Sequence, residues 1–151
     1  MLKLTLIFSV VLIVCLAAVV RLRPLDPETL HVDPTTAKRP WVPGHVLMRE
    51  DGDIRSPIFP ISRKVLAAKL DGIILATPRS THLAGDISQD YATYVVRSKL
   101  WRFPDIVNVR VIAADGDASE IIILSRLVYG RSDGGVNRAR VEDWLAKLSQ
   151  D

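Results

Sequence analysis

The feature that most constrains this chain is an uninterrupted apolar run close to its start. Residues 4–20 read LTLIFSVVLIVCLAAVV and contain no charged residue, proline or glycine. As a helix rising about 1.5 Å per residue, the run spans roughly 26 Å, slightly less than a hydrocarbon core of about 30 Å. Lys3 and Arg21 flank the run and can extend toward the lipid headgroups. The run therefore predicts a single transmembrane helix whose partner is the lipid bilayer.

A cleaved signal peptide begins in the same way, with a short basic segment before an apolar middle. Cleavage needs small residues at its site, and the best candidate here is the unfavourable Cys15-Leu16-Ala17. Arginines follow the run at once and act as a stop signal. We therefore expect residues 1–23 to be retained as a transmembrane anchor.

The charges beside the run and its basic start favour opposite orientations. Lysine and arginine near a span mark its cytoplasmic side. Lys3 precedes the run, whereas Arg21, Arg23, Lys38 and Arg39 follow it, a count that favours a cytoplasmic domain. A short basic start before an apolar run is, in contrast, typical of exported domains. On that ground we expect a single-pass protein of the bacterial inner membrane with a periplasmic domain.

Beyond the anchor the chain carries no net charge. Three of the 20 basic residues lie in residues 1–23, which hold no acid, so 17 basic residues face 17 acidic ones in residues 24–151. A neutral domain has no strong electrostatic attraction to phosphate backbones, so we expect no nucleic-acid partner. Cys15 is the single cysteine and lies inside the apolar run, which excludes disulfides and thiol chemistry from the domain.

Proline is concentrated between the anchor and the rest of the chain. Residues 24–43 hold five of the nine prolines, and proline fixes φ and removes a hydrogen-bond donor. These residues are predicted to form an extended strap. Part of the strap is expected to lie against the domain through Leu25, Leu30, Val32 and Trp41.

The remaining residues, 44–151, have the patterns of an α+β domain. Residues 107–113 alternate as a half-buried strand does, and apolar residues at 66, 70, 73 and 74 follow helical spacing. Asp51-Gly52-Asp53 separates two short strand candidates and is typical of a hairpin turn. We expect two layers, a mainly antiparallel sheet covered by two helices. The predicted strands are residues 45–49, 54–59, 81–87, 91–100, 106–113 and 120–128, and the helices begin near Ser62 and Val136.

Motifs for catalysis and metal binding are missing from the sequence. The histidines at 31, 45 and 82 have no second histidine, cysteine or carboxylate at ligand spacing, and there is no G-x-S-x-G motif. Asp51-Gly52-Asp53 and Asp115-Gly116-Asp117 lack the further oxygen donors of a calcium loop and are interpreted as turns. We expect no cofactor, no metal and no catalytic residue.

Residues 125–140, SRLVYGRSDGGVNRAR, connect the last predicted strand to the last predicted helix. A Gly-rich turn of this kind points N–H groups toward the helix start, which suits an anion. It is not a P-loop, because Val136 and Asn137 stand where lysine and a hydroxyl residue are required. The alternative is a plain tight turn capped by Ser132 or Asp133.

Two arginines near the start of this helix oppose its dipole and need another explanation. Extending the apolar stripe back from Val141 places Asn137 and Arg138 toward the core, where polar groups need partners. We therefore predict a polar network that locks the helix to the sheet or holds an anionic ligand. Its predicted members are Arg126, Asp133, Asn137 and Arg138.

A second candidate surface is the turn that contains Trp101, Arg102 and Phe103. Aromatic side chains at a hairpin tip can dock on a partner or reach the membrane interface. They can equally fold over the end of the closing helix. We treat these three residues as a possible partner-binding patch.

The chain also resembles a known family. The runs YVVRSKLWRFPD and SRLVYGRSDGGVNRARVEDWL are similar to the bacterial and plastid family known as domain of unknown function 1499. The segment RLRPLDPETLHVDP resembles the alphaproteobacterial members, which also begin with one apolar segment. The resemblance implies a small membrane-associated or exported domain with no established activity, cofactor or substrate. Gly134 stands where the family often has an apolar residue. The family's recurring elements fall on Ser125, Arg126, Gly130, Ser132, Asp133, Gly135, Asn137, Arg138, Arg140 and Val141.

Two functions are compatible with these features. The first is a non-catalytic single-pass membrane protein that serves as an accessory or interaction subunit for another membrane or envelope protein. The second is a binding module for an anionic or lipid-like small molecule at the corner formed by residues 125–140.

Overall fold

The computed structural model describes residues 1–41 and 43–150. Its helices are α1 (Leu2–Leu22), α2 (Pro27–Leu30), α3 (Arg63–Ala76) and α4 (Val136–Leu148). Its strands are β1 (His45–Met48), β2 (Ile58–Phe59), β3 (Ser80–Gly85), β4 (Tyr91–Arg97), β5 (Pro104–Ala113) and β6 (Ser119–Leu127).

α1 is apolar and contributes almost nothing to the buried core. Residues Lys3–Leu22 have a mean hydropathy of 2.7, and none of that window is buried inside the chain. At about 1.5 Å per residue, the 21 residues of α1 extend roughly 31 Å, close to the thickness of a hydrocarbon core. By length and composition, α1 is a helix able to cross a membrane.

The six strands form one antiparallel sheet in the order β1-β6-β5-β4-β3. β2 pairs with β6 next to β1. The long central ladder joins β5 to β6 from Asp105 opposite Leu127 to Ala113 opposite Ser119. The predicted α+β class, with two helices on an antiparallel sheet, is confirmed.

α3 and α4 cover one face of the sheet and enclose the main core. Leu66, Leu70 and Ile74 project from α3 at helical spacing, and Val141 and Trp144 project from α4. Alternate residues of the strands meet them, as the pleat requires. These strand residues are Val46, Met48, Ala92, Tyr94, Val96, Val107, Val109, Val111, Ile121 and Ile123.

The strap covers the second face of the sheet, and it is not extended throughout as predicted, because Asp26 caps the single helical turn α2 and Pro27 suits its first position. Leu47, Val95, Ile106 and Leu124 point to this face and are buried. The strap is held there by polar contacts with the sheet, among them three hydrogen bonds from Arg49 Nη1 to strap carbonyl oxygens at 2.6–3.2 Å. Leu25, Leu30 and Val32 are half-buried, as expected, whereas Trp41 is 91% exposed.

The turn at Asp51-Gly52-Asp53 does not form the predicted hairpin. β1 and β2 both pair antiparallel with β6 and therefore run in the same direction. Between β1 and β2 the chain leaves the sheet in a short excursion and then pairs with β6 again. Sequence patterns predicted a reversal because a D-G turn usually joins two strands that pair with each other.

Candidate functional site

The corner between β6 and α4 is organised around the buried amide of Asn137. Its Oδ1 accepts hydrogen bonds from the Ser125 hydroxyl on β6 and from Arg140 Nη1, the latter at 2.7 Å. Its Nδ2 donates to the Gly44 carbonyl oxygen at 3.1 Å. This one side chain therefore joins α4 to β6 and to the segment that precedes β1.

A buried ion pair extends the same network to β5. Arg140 Nη2 lies 2.7 Å from Asp105 Oδ2, and both side chains are about one-tenth exposed. Burial raises the pKa of the Asp105 carboxyl above its ordinary value, although Arg140 acts in the opposite direction. Losing either partner would leave a buried charge without compensation, which is costly in proteins.

Asp133 caps the start of α4. Its Oδ1 accepts from the Gly135 N–H at 2.9 Å and its Oδ2 from the Asn137 N–H at 2.6 Å. Partial burial of the carboxyl raises its pKa, but these hydrogen bonds outweigh that effect, and the net pKa is lowered. The neighbouring Ser132 hydroxyl accepts from the Gly134 N–H at 3.3 Å.

The structure brings two of the four predicted network residues together, Asp133 and Asn137. Arg126 follows Ser125 in β6 and lies on the opposite face of the sheet, where it donates to Leu30 O. The Arg138 side chain is 46% exposed and contacts Glu142 on the surface at 3.4 Å. Sequence reasoning missed Ser125, Asp105 and Arg140 as members of this network.

Arg126 belongs to a separate polar cluster beneath the strap. Its Nη2 and the Asn108 Nδ2 both donate to the Leu30 carbonyl oxygen, at 3.1 and 2.9 Å. Asn108 also reaches Thr93 Oγ1 at 2.7 Å, and Thr93 Oγ1 lies 2.7 Å from His31 Nδ1. Burial lowers the pKa of Arg126, and no carboxylate within residues 1–41 and 43–150 pairs with it. The cluster fastens the strap to the sheet.

The aromatic turn, residues 98–103, joins β4 to β5 and lies beside α1. Trp101 and Phe103 are 45% and 38% exposed, and Arg102 is exposed. The two rings and the α1 side chains from Ile13 to Val20 line an apolar groove of about 410 Å³. Arg21 Nη2 reaches the Leu100 carbonyl oxygen at 3.4 Å. A second groove of about 290 Å³ separates the turn from the start of α4.

A cleft of about 480 Å³ lies between α3 and β3. At its floor the Tyr94 hydroxyl donates to Asp71 Oδ1, and the His82 ring meets the Tyr94 ring edge-on with centroids 5.6 Å apart. Burial and the Asp71 carboxylate raise the pKa of Tyr94, so the hydroxyl stays protonated and acts as a donor. Sequence spacing could not reveal this cluster, because only the packing of α3 on β4 unites it.

In the part of the chain that the structure describes, no three histidine, cysteine, aspartate or glutamate side chains are grouped closely enough to hold a metal ion. The Asn137 amide, Arg140 and Asp105 in the corner are occupied by one another, whereas in the strap cluster the buried Asn108 Oδ1 has no hydrogen-bond partner among the described residues. Both the corner and the strap cluster join separate elements of the fold.

Comparison with known proteins shows to which family the chain belongs. A family model described as "Protein of unknown function (DUF1499)" matches residues 26–148. The chain belongs to this family. The DUF1499 match begins within the strap and ends with α4, so it includes the strap cluster and the corner together. Searches of curated proteins and of solved structures found no match.

Proposed function

We propose that this DUF1499 protein is a non-catalytic single-pass membrane protein that serves as an accessory or interaction subunit. In this proposal the domain binds a segment of another membrane or envelope protein along the outer edge of β3. The observation that carries the proposal is the difference between the two edges of the sheet.

The edge at β1 is closed by the chain itself. Leu47 N donates to Asp53 Oδ2 at 2.9 Å, and Leu47 O accepts from Asp53 N at 2.6 Å. Arg49 N donates to Ile54 O at 3.0 Å. The excursion between β1 and β2 thus occupies hydrogen-bonding groups that would otherwise face outward.

The edge at β3 is open. Within the described residues, the backbone of residues 81–84 makes its strand pairing with β4 and no other backbone hydrogen bond. An unpaired edge of this kind can accept an added strand from another chain. A bulge between His82 and Ala84 limits the regular stretch to the first half of β3.

The cleft beside this edge offers room for the side chains of an added strand. Ala68 and Leu75 of α3 give it an apolar wall, and Asp71 and Asp86 add carboxylates. Hydrogen bonds from the Ser88 hydroxyl and N–H lower the pKa of Asp86, which therefore stays ionised at neutral pH. These features favour a partner segment that combines apolar residues with a lysine or arginine.

The membrane location rests on α1, which is long and apolar enough to span a bilayer. The likeness of the strap to alphaproteobacterial sequences supports the bacterial inner membrane, and the short basic start supports a periplasmic domain. The basic residues that follow α1 argue for the opposite side. We expect alkaline phosphatase fused after Asp151 to be active. If that fusion were inactive, and a fusion of green fluorescent protein at the same position were fluorescent, the domain would lie in the cytoplasm.

The corner is a weaker candidate for a ligand site. An anionic small molecule would need donors that are free to turn toward it, and the Asn137 amide, Arg140 and Asp133 are engaged within the chain. This observation favours the interaction subunit over the binding module.

The test is purification of the full-length protein in mild detergent, followed by mass spectrometry of co-purifying proteins. Leu75→Lys blocks the cleft, and Val65→Lys is its matched control, because both side chains lie on α3 and are 45% and 47% exposed. We expect one membrane or envelope protein at stoichiometric amount with wild type and Val65→Lys, and its loss with Leu75→Lys. Wild-type protein without a stoichiometric partner would contradict the proposal.

A further inference from the structure

Exposed apolar side chains are concentrated at one end of the sheet. Beyond α1, eight large apolar side chains are exposed among the described residues. Three of them, Ile58, Val65 and Leu75, are scattered over other parts of the domain. Four others are carried by the aromatic turn and the start of α4, which line one groove together: Leu100, Trp101, Phe103 and Val136. The eighth, Trp41, lies in the strap.

α1 meets the domain at this same end. Trp101 borders α1 residues from Ile13 to Leu22. Because α1 extends roughly 31 Å, nearly all of it is needed to cross a hydrocarbon core of about 30 Å. Its last two turns must then lie within the membrane, and the aromatic turn beside them lies at the same depth. The part of α1 that borders the aromatic turn, from Val14 to Arg21, extends roughly 10 Å along the helix axis.

Several backbone groups of the aromatic turn already have partners within the protein. Polar backbone groups that face lipid must be satisfied within the protein. Leu100 O accepts from Arg21, and Arg102 O accepts from Arg97 Nη1 at 3.0 Å. Phe103 O accepts from Ser98 N at 2.9 Å, and Phe103 N donates to Ser98 Oγ at 3.0 Å.

The charges at this end suit phospholipid headgroups. Lys99 and Arg102 are exposed on the aromatic turn itself, and Arg21 and Arg23 are exposed at the end of α1. The nearby carboxylates of Asp105 and Asp133 are already engaged by Arg140 and by the start of α4. Exposed aromatic rings interspersed with basic side chains are typical of interfacial membrane contacts.

We propose that the aromatic turn inserts into the interfacial layer of the bilayer beside α1, so that the domain has a second membrane contact. The inserting side chains are Leu100, Trp101 and Phe103, and Lys99 and Arg102 bind lipid phosphates. The inference rests on the membrane-spanning role of α1 in the proposed function. It fixes the orientation of the domain on the membrane, which a single flexible tether would leave free.

Tryptophan fluorescence tests this contact in the full-length protein, because α1 contains no tryptophan. The protein is reconstituted into vesicles of phosphatidylethanolamine and phosphatidylglycerol that carry lipids brominated near the carbonyl end of the acyl chain. In a Trp41→Phe background, Trp101 is exposed and Trp144 is fully buried. We expect bromine to quench part of the emission, and Trp101→Phe in that background to abolish the quenching.

Ile58→Trp, made in the Trp41→Phe, Trp101→Phe background, is the matched control. Ile58 is 68% exposed and lies opposite Glu120, at the far end of β6, so its tryptophan is expected to escape quenching. Equal quenching of Trp101 and the introduced tryptophan, or none of Trp101 in protein that floats with the vesicles, overturns the second contact and leaves the anchor intact. Protein that does not float with the vesicles overturns the anchor, and the second contact with it.

Discussion

Asn137 and Arg138 are neighbours in sequence and have opposite environments. Asn137 is fully buried and its side chain is hydrogen-bonded to three other residues, whereas Arg138 lies on the surface. The difference follows from the direction in which each side chain leaves the first turn of α4. A buried amide that satisfies several partners contributes much more to stability than an exposed ion pair.

Asn137→Ala is expected to lower the free energy of unfolding by about 1–3 kcal/mol or more, because Ser125, Gly44 and Arg140 each lose a partner. Arg138→Ala is expected to change it by no more than about 0.5 kcal/mol. Urea unfolding of the full-length protein in detergent measures both. Equal midpoints for the two variants would show that the amide does not hold the corner.

The residues of the corner were only partly predictable. Stepping back from Val141 by three and four residues reached Asn137 and Arg138, and the same step of four from Trp144 reaches Arg140. Arg126, the fourth predicted member of the network, lies next to Ser125 in the chain. The period of two in a strand, however, sends Ser125 and Arg126 to opposite faces. Asp105 carried no sequence signal, since its contact with Arg140 spans 35 positions.

Local sequence patterns predict the helices and the central strands, but they do not predict the closed edge at β1. α3 and α4 have apolar residues at helical spacing, and β5 and β6 are rich in β-branched residues. The path of the excursion after β1 depends on which strand pairs with β2. That pairing is a tertiary contact, and a D-G turn in the sequence does not predict it. Gly52 allows this excursion, because a Cβ there would overlap the Leu47 carbonyl oxygen.

Substitutions at two glycines, one in the excursion after β1 and one in α3, are expected to change stability in opposite directions. Gly52→Ala is expected to destabilise the fold by about 1–3 kcal/mol through overlap with Leu47. Gly72→Ala is expected to stabilise it by about 0.5–1 kcal/mol, because Gly72 lies inside α3 with open space around its Cα. Thermal unfolding in detergent gives both signs. A gain in stability for Gly52→Ala would mean that the excursion does not pack against β1 as described.

The whole molecule is organised by what lies on each face and at each end of one sheet. Helices cover the first face, the strap covers the second, and the aromatic turn meets α1 at one end. The ion pair between Arg110 and Asp33, and the hydrogen bonds to Leu30 O, tie the strap to the central strands. The strap is therefore part of the folded unit as well as the connection to α1.

Shortened chains test this role of the strap. A chain of residues 24–151 keeps the strap and is expected to fold as a soluble monomer without α1. A chain of residues 44–151 exposes Leu47, Val95, Ile106 and Leu124, which are at most 3% exposed in the whole protein. It also leaves Asn108, Arg110 and Arg126 without their strap partners.

Large apolar patches of the kind exposed in residues 44–151 promote aggregation. We therefore expect this shorter chain to bind a hydrophobic dye, to show aggregates by light scattering and to melt at a lower temperature than residues 24–151. Equal melting temperatures and equally monomeric behaviour would show that the second face is stable without its cover, and the strap would then serve as a tether alone.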